Sequence, residues 1–202
     1  MNSRLSFFLA IAFLPASIAP IAFAEESPVA FHLVSKGVFR GGRPSSEEEM
    51  DFLENKGIHS IINLQGSALF LIPGESRKAI QRESEQASRR GIRYFHLPIS
   101  TLKELNSDEV ARLLEAVRIM TDPHLQPVYV HCNIGADRTG VMVAAYRILG
   151  QNCSFEKAWS ELKDYGVVWT PIFSDPQSDL LRDLAANPSK YGFARSAEKC
   201  PL

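Results

Sequence analysis

The chain has 202 residues, 45% of them hydrophobic, and its 22 lysines and arginines against 23 aspartates and glutamates give a formal net charge of −1. This composition is typical of one globular domain with an ordinary core, and it excludes disordered, collagen-like and coiled-coil chains. The near-neutral charge also argues against a protein that binds nucleic acid without sequence preference. Any recognition of phosphate must therefore be local.

The amino terminus has the pattern of a secretory signal peptide. Arg4 precedes an apolar run over residues 5–14, and the small residues of Ala22-Phe23-Ala24 then fit a cleavage site. We expect residues 1–24 to be removed and the mature chain to be exported, either to a periplasm or out of the cell. The alternative is an uncleaved membrane anchor, but the apolar run is shorter than the ~20 residues that a membrane span needs. No stable membrane anchor is expected once the signal has been cleaved.

Apolar runs and chain-breaking residues predict alternating strands and helices along the rest of the chain. Short apolar runs predict strands at residues 31–34, 38–39, 58–64, 92–99 and 127–131. Helical periodicity and capping residues predict helices from Ser45 or Ser46 until Gly57, over 74–90, from Ser107, and over 136–149, 155–165 and 179–186. Strands alternating with helices at this spacing predict a single α/β domain over residues 25–202, with a mostly parallel central sheet flanked by helices.

Two of these helices carry more detailed expectations. Residues 74–90 are rich in charge, which predicts a solvated helix. In the helix that starts near Ser107, the run Ser107-Asp108-Glu109 predicts an N-terminal cap, and an apolar stripe that includes Leu113 and Val117 predicts the face turned to the core.

The most informative segment joins the strand at 127–131 to the helix at 136–149. Cys132 ends the strand, Arg138 follows six positions later, and Gly135 lies between them. A turn from strand to helix over so few residues points successive backbone N–H groups into one concavity at a helix amino terminus, which suits a phosphate. We therefore predict an anion-binding loop between the last core strand and its helix.

This segment resembles the P-loop of the cysteine-dependent protein tyrosine and dual-specificity phosphatase superfamily, His-Cys-x-x-Gly-x-x-Arg-Thr-Gly, and every fixed position is matched. The resemblance implies a hydrolase that needs no metal or other cofactor and forms a phosphocysteine intermediate. It also implies a phosphate site made of Asn133, Ile134, Gly135, Ala136, Asp137, Arg138 and Thr139. The five histidines show no paired spacing typical of metal ligands.

The residue types suit these roles. Cys132 is expected to be the nucleophile, because an amide-lined loop and a nearby arginine stabilise a thiolate. The planar fork of Arg138 can hold two phosphate oxygens at once. Thr139 can donate its hydroxyl to the departing thiolate, and His131 is expected to support the loop rather than take part in the chemistry.

The general acid is less clearly placed. Dual-specificity enzymes usually carry an aspartate just after the strand that precedes the third helix, where this chain has Ser100. Asp137 lies in the loop itself, and Gly-x-Asp-Arg-Thr-Gly resembles a subgroup of bacterial and fungal phosphatases in which that aspartate is a proposed acid. We predict Asp137, although a structural ion pair would also explain it. Asp108 is the other candidate, and its place at the start of a helix explains it without catalysis.

A second segment extends the resemblance. Residues 38–44 and 57–64 are similar to the front of the atypical dual-specificity group, where an F-R-x-x-x-P turn leads to a helix and a G-I-x-x-(I/V)-I-N-L strand. The recognisable core therefore runs from about residue 39 to 165. Arg40 and Arg43 either help to bind an anionic substrate or are solvated surface residues.

The sequence favours an exported phosphomonoester phosphatase, with protein tyrosine or dual-specificity substrates as the family's default. An inositol phosphate phosphatase, similar to a phytase, is the alternative. The lack of lysine among Asn133, Ile134 and Ala136 argues against a highly phosphorylated ring as the substrate. The lack of an aspartate at the usual position of the general acid argues for it, because better leaving groups need less help from an acid. A non-catalytic phosphate-binding module and a redox or arsenate-reducing enzyme rank below these. The expected partner is a phosphorylated protein or a small phosphate ester, not nucleic acid, and the expected oligomeric state is a monomer.

The resemblance also divides the three cysteines. Cys132, as the nucleophile, is expected to stay a free thiol. In an oxidising compartment Cys153 and Cys200 are then candidates for a disulfide that would hold the carboxy-terminal tail to the domain. Three unpaired thiols are the alternative.

Overall fold

The structure is a computed structural model that describes residues 27–66, 77–100, 103–165, 175–195 and 200–202. The predicted signal peptide over residues 1–24 lies outside the described residues. Within the described ranges, no helix combines the length and the apolar character needed to cross a bilayer.

A five-stranded sheet forms the centre of the domain. In chain order its strands are β1 (Phe31–Ser35), β2 (Val38–Gly41), β3 (Ser60–Asn63), β4 (Arg93–His96) and β5 (Val128–His131). The spatial order is β1-β2-β5-β3-β4, and only the β1–β2 pair is antiparallel. The predicted α/β class with a mostly parallel sheet is therefore confirmed.

Helices cover both faces of this sheet. They are α1 (Glu47–Asn55), α2 (Arg77–Arg89), α3 (Ser107–Thr121), α4 (Asp137–Leu149), α5 (Phe155–Asp164) and α6 (Asp175–Ala186), followed by a short 3-10 helix, Pro188–Tyr191. Each predicted helix is present, and α6 starts four residues before its predicted first residue, 179.

The middle strand β5 lies between two parts of the core. Val128 and Val130 belong to an apolar cluster formed with helices α3 to α6, whereas Tyr129, between them, packs with Met50 and Leu53 of α1. Successive side chains of a strand point to opposite faces, and a parallel sheet covered on both faces buries both sets. All four residues of β5 are buried, which gives the loop that follows it a fixed base.

Helix α3 begins with a different cap from the one predicted. The N-cap is Asn106, whose side-chain oxygen accepts the N–H of Glu109 at 3.0 Å, while the Glu109 carboxylate accepts the N–H of Asn106 at 3.1 Å. Ser107 and Asp108 are the exposed first residues of the helix itself. The predicted position was wrong by one residue because asparagine, serine and aspartate cap helices about equally well.

Helix α2 is solvated over most of its surface, as its charge predicts, but not on every side. It buries one face, which consists of Ala79, Ile80, Glu83 and Ala87. Just after the helix, the guanidinium of Arg90 binds Glu47 and Asp51 of α1, at 2.6 Å and 2.5 Å. These ion pairs link the end of α2 to α1.

The cysteines are divided as predicted. Cys153 and Cys200 form a disulfide, and Cys132 is a free, buried thiol. The bond joins the segment before α5 to the end of the chain.

Candidate active site

The structure gathers the predicted phosphate site into one turn between β5 and α4. Residues 132–136 form the loop, and 137–139 are the first residues of α4. The side chain of Cys132 is 3% exposed, and its Sγ accepts the backbone N–H of Gly135 at 3.3 Å. A backbone donor is therefore already directed at the sulfur of the predicted nucleophile.

Glycine is required at position 135. Its φ of +86° lies in the left-handed region, and an added Cβ would come within 2.4 Å of the carbonyl oxygen of Gly41. The loop therefore packs directly against the backbone at the end of β2. Gly41 is equally confined, since a Cβ there would overlap the carbonyl oxygen of Ala30.

Two hydrogen bonds from the end of β2 hold the outer side of this loop. Nη2 of Arg40 donates to the carbonyl of Gly135 at 2.8 Å, and the backbone N–H of Arg43 donates to the carbonyl of Asn133 at 3.1 Å. In a trans peptide the C=O and N–H point in opposite directions. The N–H groups of Ala136 and Ile134 therefore point away from these anchors, toward the concave side where an anion would bind.

Arg40 is an interior residue, so the expectation that it is a solvated surface side chain was wrong. It is 1% exposed, and its guanidinium stacks 4.0 Å from the centre of the Tyr165 ring. Burial lowers the pKa of Arg40, and the nearby Tyr165, Glu161 and Cys132 partly oppose that effect. Within the described residues, Nε and Nη1 have no hydrogen-bond partner. Arg40 thus places a buried cation behind the loop.

The first turn of α4 differs from those of its neighbours. Helices α1, α3 and α5 start with a capping side chain, from Ser46, Asn106 and Ser154. At α4 the N-cap is Ala136, which has no side chain able to accept these N–H groups. The amide donors that begin a helix carry a partial positive charge, and here an external anion can take the place of a cap.

The remaining predicted residues lie around this amide-lined turn. Thr139 is fully buried, and the described part of the chain offers its hydroxyl no hydrogen-bond partner. Asp137 and Arg138 are partly exposed at the start of α4. Asp108, the other candidate acid, lies exposed in the first turn of α3.

Sequence reasoning missed one residue of the site, the buried carboxylate of Glu83. Its Oε1 lies 2.7 Å from Nε2 of His131, the residue before Cys132. His131 and Glu83 are 0% and 2% exposed. They are 48 positions apart in the chain, so no local pattern could have linked them.

Among the described residues, no cluster of metal-binding side chains accompanies the loop. In the ranges that the structure describes, no three His, Cys, Asp or Glu side chains are grouped so that they could hold a metal ion.

Comparison with known proteins decides the family. The family model described as a DSP-PTPase phosphatase fused to NAD+ kinase matches residues 22–167. The chain belongs to this family of phosphatases. The matched range includes the loop from Cys132 to Arg138.

The relatives of this phosphatase domain include proteins with different named activities. Inositol diphosphatase DSP4 of Arabidopsis thaliana is 34% identical over 129 residues, which are 62% of this chain and 59% of that protein. The probable tyrosine-protein phosphatase DG1060 of Dictyostelium discoideum is 28% identical over 123 residues, 60% of this chain and 68% of that protein. The chain thus spans less than two thirds of the length of the plant relative.

A solved structure shows the same fold. The core catalytic domain of the PP-IP phosphatase SIW14 from S. cerevisiae, in complex with citrate, superposes with a TM-score of 0.58 at 23% identity. The match covers 80% of this chain and 93% of that one. The α/β arrangement described above is therefore the fold of that phosphatase domain.

Proposed function

We propose that the chain hydrolyses phosphomonoesters through a phosphocysteine intermediate. The observation that carries this proposal is the Gly135 N–H directed at the Cys132 sulfur beside the uncapped amino terminus of α4. The sulfur attacks phosphorus, an S–P bond forms, and the bond from phosphorus to the leaving oxygen breaks. Arg138 and the loop amides hold the other phosphate oxygens as charge develops on them. Water then hydrolyses the S–P bond, and Thr139 donates to the departing thiolate.

Replacement of the nucleophile tests this reaction. We expect Cys132→Ser to lower phosphate release from aryl phosphate, without added metal, by about 1,000-fold or more, because a serine hydroxyl is not ionised at neutral pH. The variant should still bind vanadate or inorganic phosphate, since the loop amides remain. Activity that survives the substitution would contradict the proposal. Phosphate binding without any hydrolysis by the wild type would instead identify a binding module.

Asp137 is the proposed general acid, which protonates the leaving oxygen and then accepts a proton from the attacking water. We expect Asp137→Asn to slow hydrolysis of a poor leaving group such as phenyl phosphate by about 100-fold. Hydrolysis of an activated aryl phosphate should change far less, because that leaving group departs without a proton. Asp108→Asn is the matched control and should alter neither. Equal losses on both substrates in the Asp137 variant would indicate a structural ion pair instead.

For the substrate we propose an aryl phosphate ester, such as a phosphotyrosyl side chain. Three loop side chains, Asn133, Ile134 and Ala136, carry no charge, and Ile134 is 62% exposed, an unusual exposure for isoleucine. An apolar side chain on the rim suits an aromatic leaving group better than a densely charged ring.

A soluble inositol diphosphate is the second candidate, favoured by the likeness to the plant inositol diphosphatase. Cleavage of a phosphoanhydride releases a good leaving group, so it needs less help from an acid. We expect kcat/KM to be higher on phosphotyrosyl peptide than on inositol diphosphate. Ile134→Lys should lower the ratio of these two values or reverse it. Ile134→Leu is the matched control. The reverse order in the wild type would overturn the aryl-phosphate proposal.

We also propose that the enzyme works outside the cytoplasm. The signal-like residues 1–24 support this, as does the disulfide, a bond that forms and persists in oxidising compartments. When the full chain is produced in a bacterium, we expect the extracted protein to begin at Glu25 and to fractionate with the periplasm or medium. A protein that keeps residues 1–24 and stays in the membrane fraction would identify an anchor.

A further inference from the structure

The buried cation behind the loop packs against an aromatic ring to which the proposed reaction gives no role. Tyr165 is the C-cap residue of α5, and the centre of its ring lies 4.0 Å from Cζ of Arg40. Tyr165 is 37% exposed, whereas Arg40 is 1% exposed. The guanidinium thus lies over the face of a ring that itself borders solvent. The negative face of an aromatic ring attracts a cation, and more strongly where water is excluded.

Hydrogen bonds satisfy only one nitrogen of this guanidinium. Nη2 of Arg40 donates to the carbonyl of Gly135 at 2.8 Å and lies 3.5 Å from the carbonyl oxygen of Ala136. Nε and Nη1 are buried without a hydrogen-bond partner in the described part of the chain, and burial lowers the pKa of Arg40. A buried charge with so few partners is costly. The ring of Tyr165 therefore supplies an attraction to a cation that hydrogen bonds leave mostly unpaired.

Tyr165 is held in place from two sides. On the side of the sheet, its ring packs edge to face with the ring of His32, with 5.7 Å between their centres. His32 of β1 lies directly opposite Arg40 of β2 in the antiparallel pair, so both side chains are on the face that Tyr165 covers. On the side of the helices, Glu161 of α5 forms a largely buried ion pair with Arg147 of α4 at 2.6 Å. This pair fixes the last turn of α5, from which Tyr165 follows, against the helix that begins at the loop.

We propose that Tyr165 is a positioning residue for the phosphate loop. Its ring holds the guanidinium of Arg40 against the carbonyl of Gly135, and that hydrogen bond turns the N–H of Ala136 toward the bound phosphate. Tyr165 acts through Arg40 and not on the reacting atoms. This inference rests on the proposed function for its catalytic meaning, but the order of the loop and its affinity for an anion are measurable without any substrate.

The first test compares two substitutions of the ring. Tyr165→Leu removes the aromatic face, whereas Tyr165→Phe keeps that face and removes only the hydroxyl. We expect kcat/KM on aryl phosphate and the affinity for vanadate to fall about tenfold in Tyr165→Leu, and to stay within about twofold of the wild type in Tyr165→Phe. Phe193→Leu is the matched control, because Arg118 of α3 lies 4.9 Å from the centre of the Phe193 ring, in a contact of the same kind outside the loop. It should change neither quantity.

A double variant separates this role from a merely structural one. If Tyr165 acts through Arg40, Tyr165→Leu should cause no further loss of kcat/KM in an Arg40→Met background, because residues in contact have non-additive effects. A loss of about tenfold in both backgrounds would show that Tyr165 acts independently of Arg40, which would overturn the inference. Wild-type kcat/KM in Tyr165→Leu would overturn it too, even if that variant were less stable.

Hydrogen exchange of the loop needs neither a substrate nor an anion. We expect the backbone amides of residues 134–136 to exchange at least about fivefold faster in Tyr165→Leu than in the wild type, because the loop loses its anchored carbonyl. Tyr165→Phe and Phe193→Leu should exchange at the wild-type rate. Unchanged exchange in Tyr165→Leu would contradict the inference. If the wild type hydrolyses no phosphate ester, the proposed function fails, while the exchange rates still decide the role of Tyr165.

Discussion

At the scale of single residues, the shape of the loop depends on contacts from distant parts of the chain. Arg40 reaches the carbonyl of Gly135 across 95 positions of sequence, and the packing of Gly135 on Gly41 spans a similar interval. The sequence alone predicts the loop residues, because their motif is local. It does not predict Arg40, since a single arginine after an apolar strand looks the same whether it is solvated or buried.

Arg40 is expected to favour activity at a cost in stability. Two of its three guanidinium nitrogens have no hydrogen-bond partner within the described residues, and a buried cation that is not fully hydrogen-bonded costs stability. We expect Arg40→Met to leave the free energy of unfolding unchanged or raise it by about 0.5 to 2 kcal/mol. Its kcat/KM on aryl phosphate should fall at least about tenfold, because the Gly135 carbonyl loses its anchor.

Denaturant unfolding and steady-state kinetics on the same preparation check this prediction, with Arg82→Met on the exposed side of α2 as the control. A variant that is destabilised but fully active would mean that Arg40 is needed for the fold and not for the loop.

At the scale of the elements, the first turn of each helix shows whether a side chain caps it or whether its N–H groups are left for an anion. Serine caps at α1 and α5 were predictable because capping acts over three residues. The missing cap at α4 was predictable for the same reason, since this chain has alanine at position 136, which the motif leaves variable. Glu83 was not predictable, because a carboxylate on a highly charged helix gives no sign that its side chain is buried. Burial of that face depends on how the whole helix packs on the domain, which the helix's own residues do not reveal.

The cap of α3 gives a prediction with a built-in comparison. Asn106→Ala should lower the free energy of unfolding by about 1 kcal/mol, because the N–H of Glu109 loses its acceptor. Ser107→Ala should change the free energy of unfolding by about 0.5 kcal/mol at most, since Ser107 lies inside the helix and is exposed. Chemical denaturation of the two variants measures both values. A larger loss of unfolding free energy for Ser107→Ala than for Asn106→Ala would show that Ser107 is the cap, as the sequence predicts.

At the scale of the whole molecule, topology brings the parts of the site together. In a parallel sheet the carboxyl ends of the strands share one edge, and β5 lies between β2 and β3. Asn63 therefore pairs in register with His131 on one side, and Gly41 on the other. Apolar runs and turn residues predict the strands, but packing sets their order in space. The contact of the loop with β2 was therefore not predictable from the sequence.

The disulfide acts at this scale too, because it closes a loop of the chain that contains both α5 and α6. Its cysteines are 47 positions apart, and closing a loop of that size is worth about 4 kcal/mol in unfolded-state entropy. We expect the double variant Cys153→Ser/Cys200→Ser to lose about 2 to 4 kcal/mol of unfolding free energy while it keeps its phosphatase activity, since Cys132 is untouched. Reductant should destabilise the wild type by a similar amount and leave the double variant unchanged. If reductant instead lowers the stability of both equally, the effect comes from another source. If the double variant loses activity while still folded, the tail must support the loop as well as the fold.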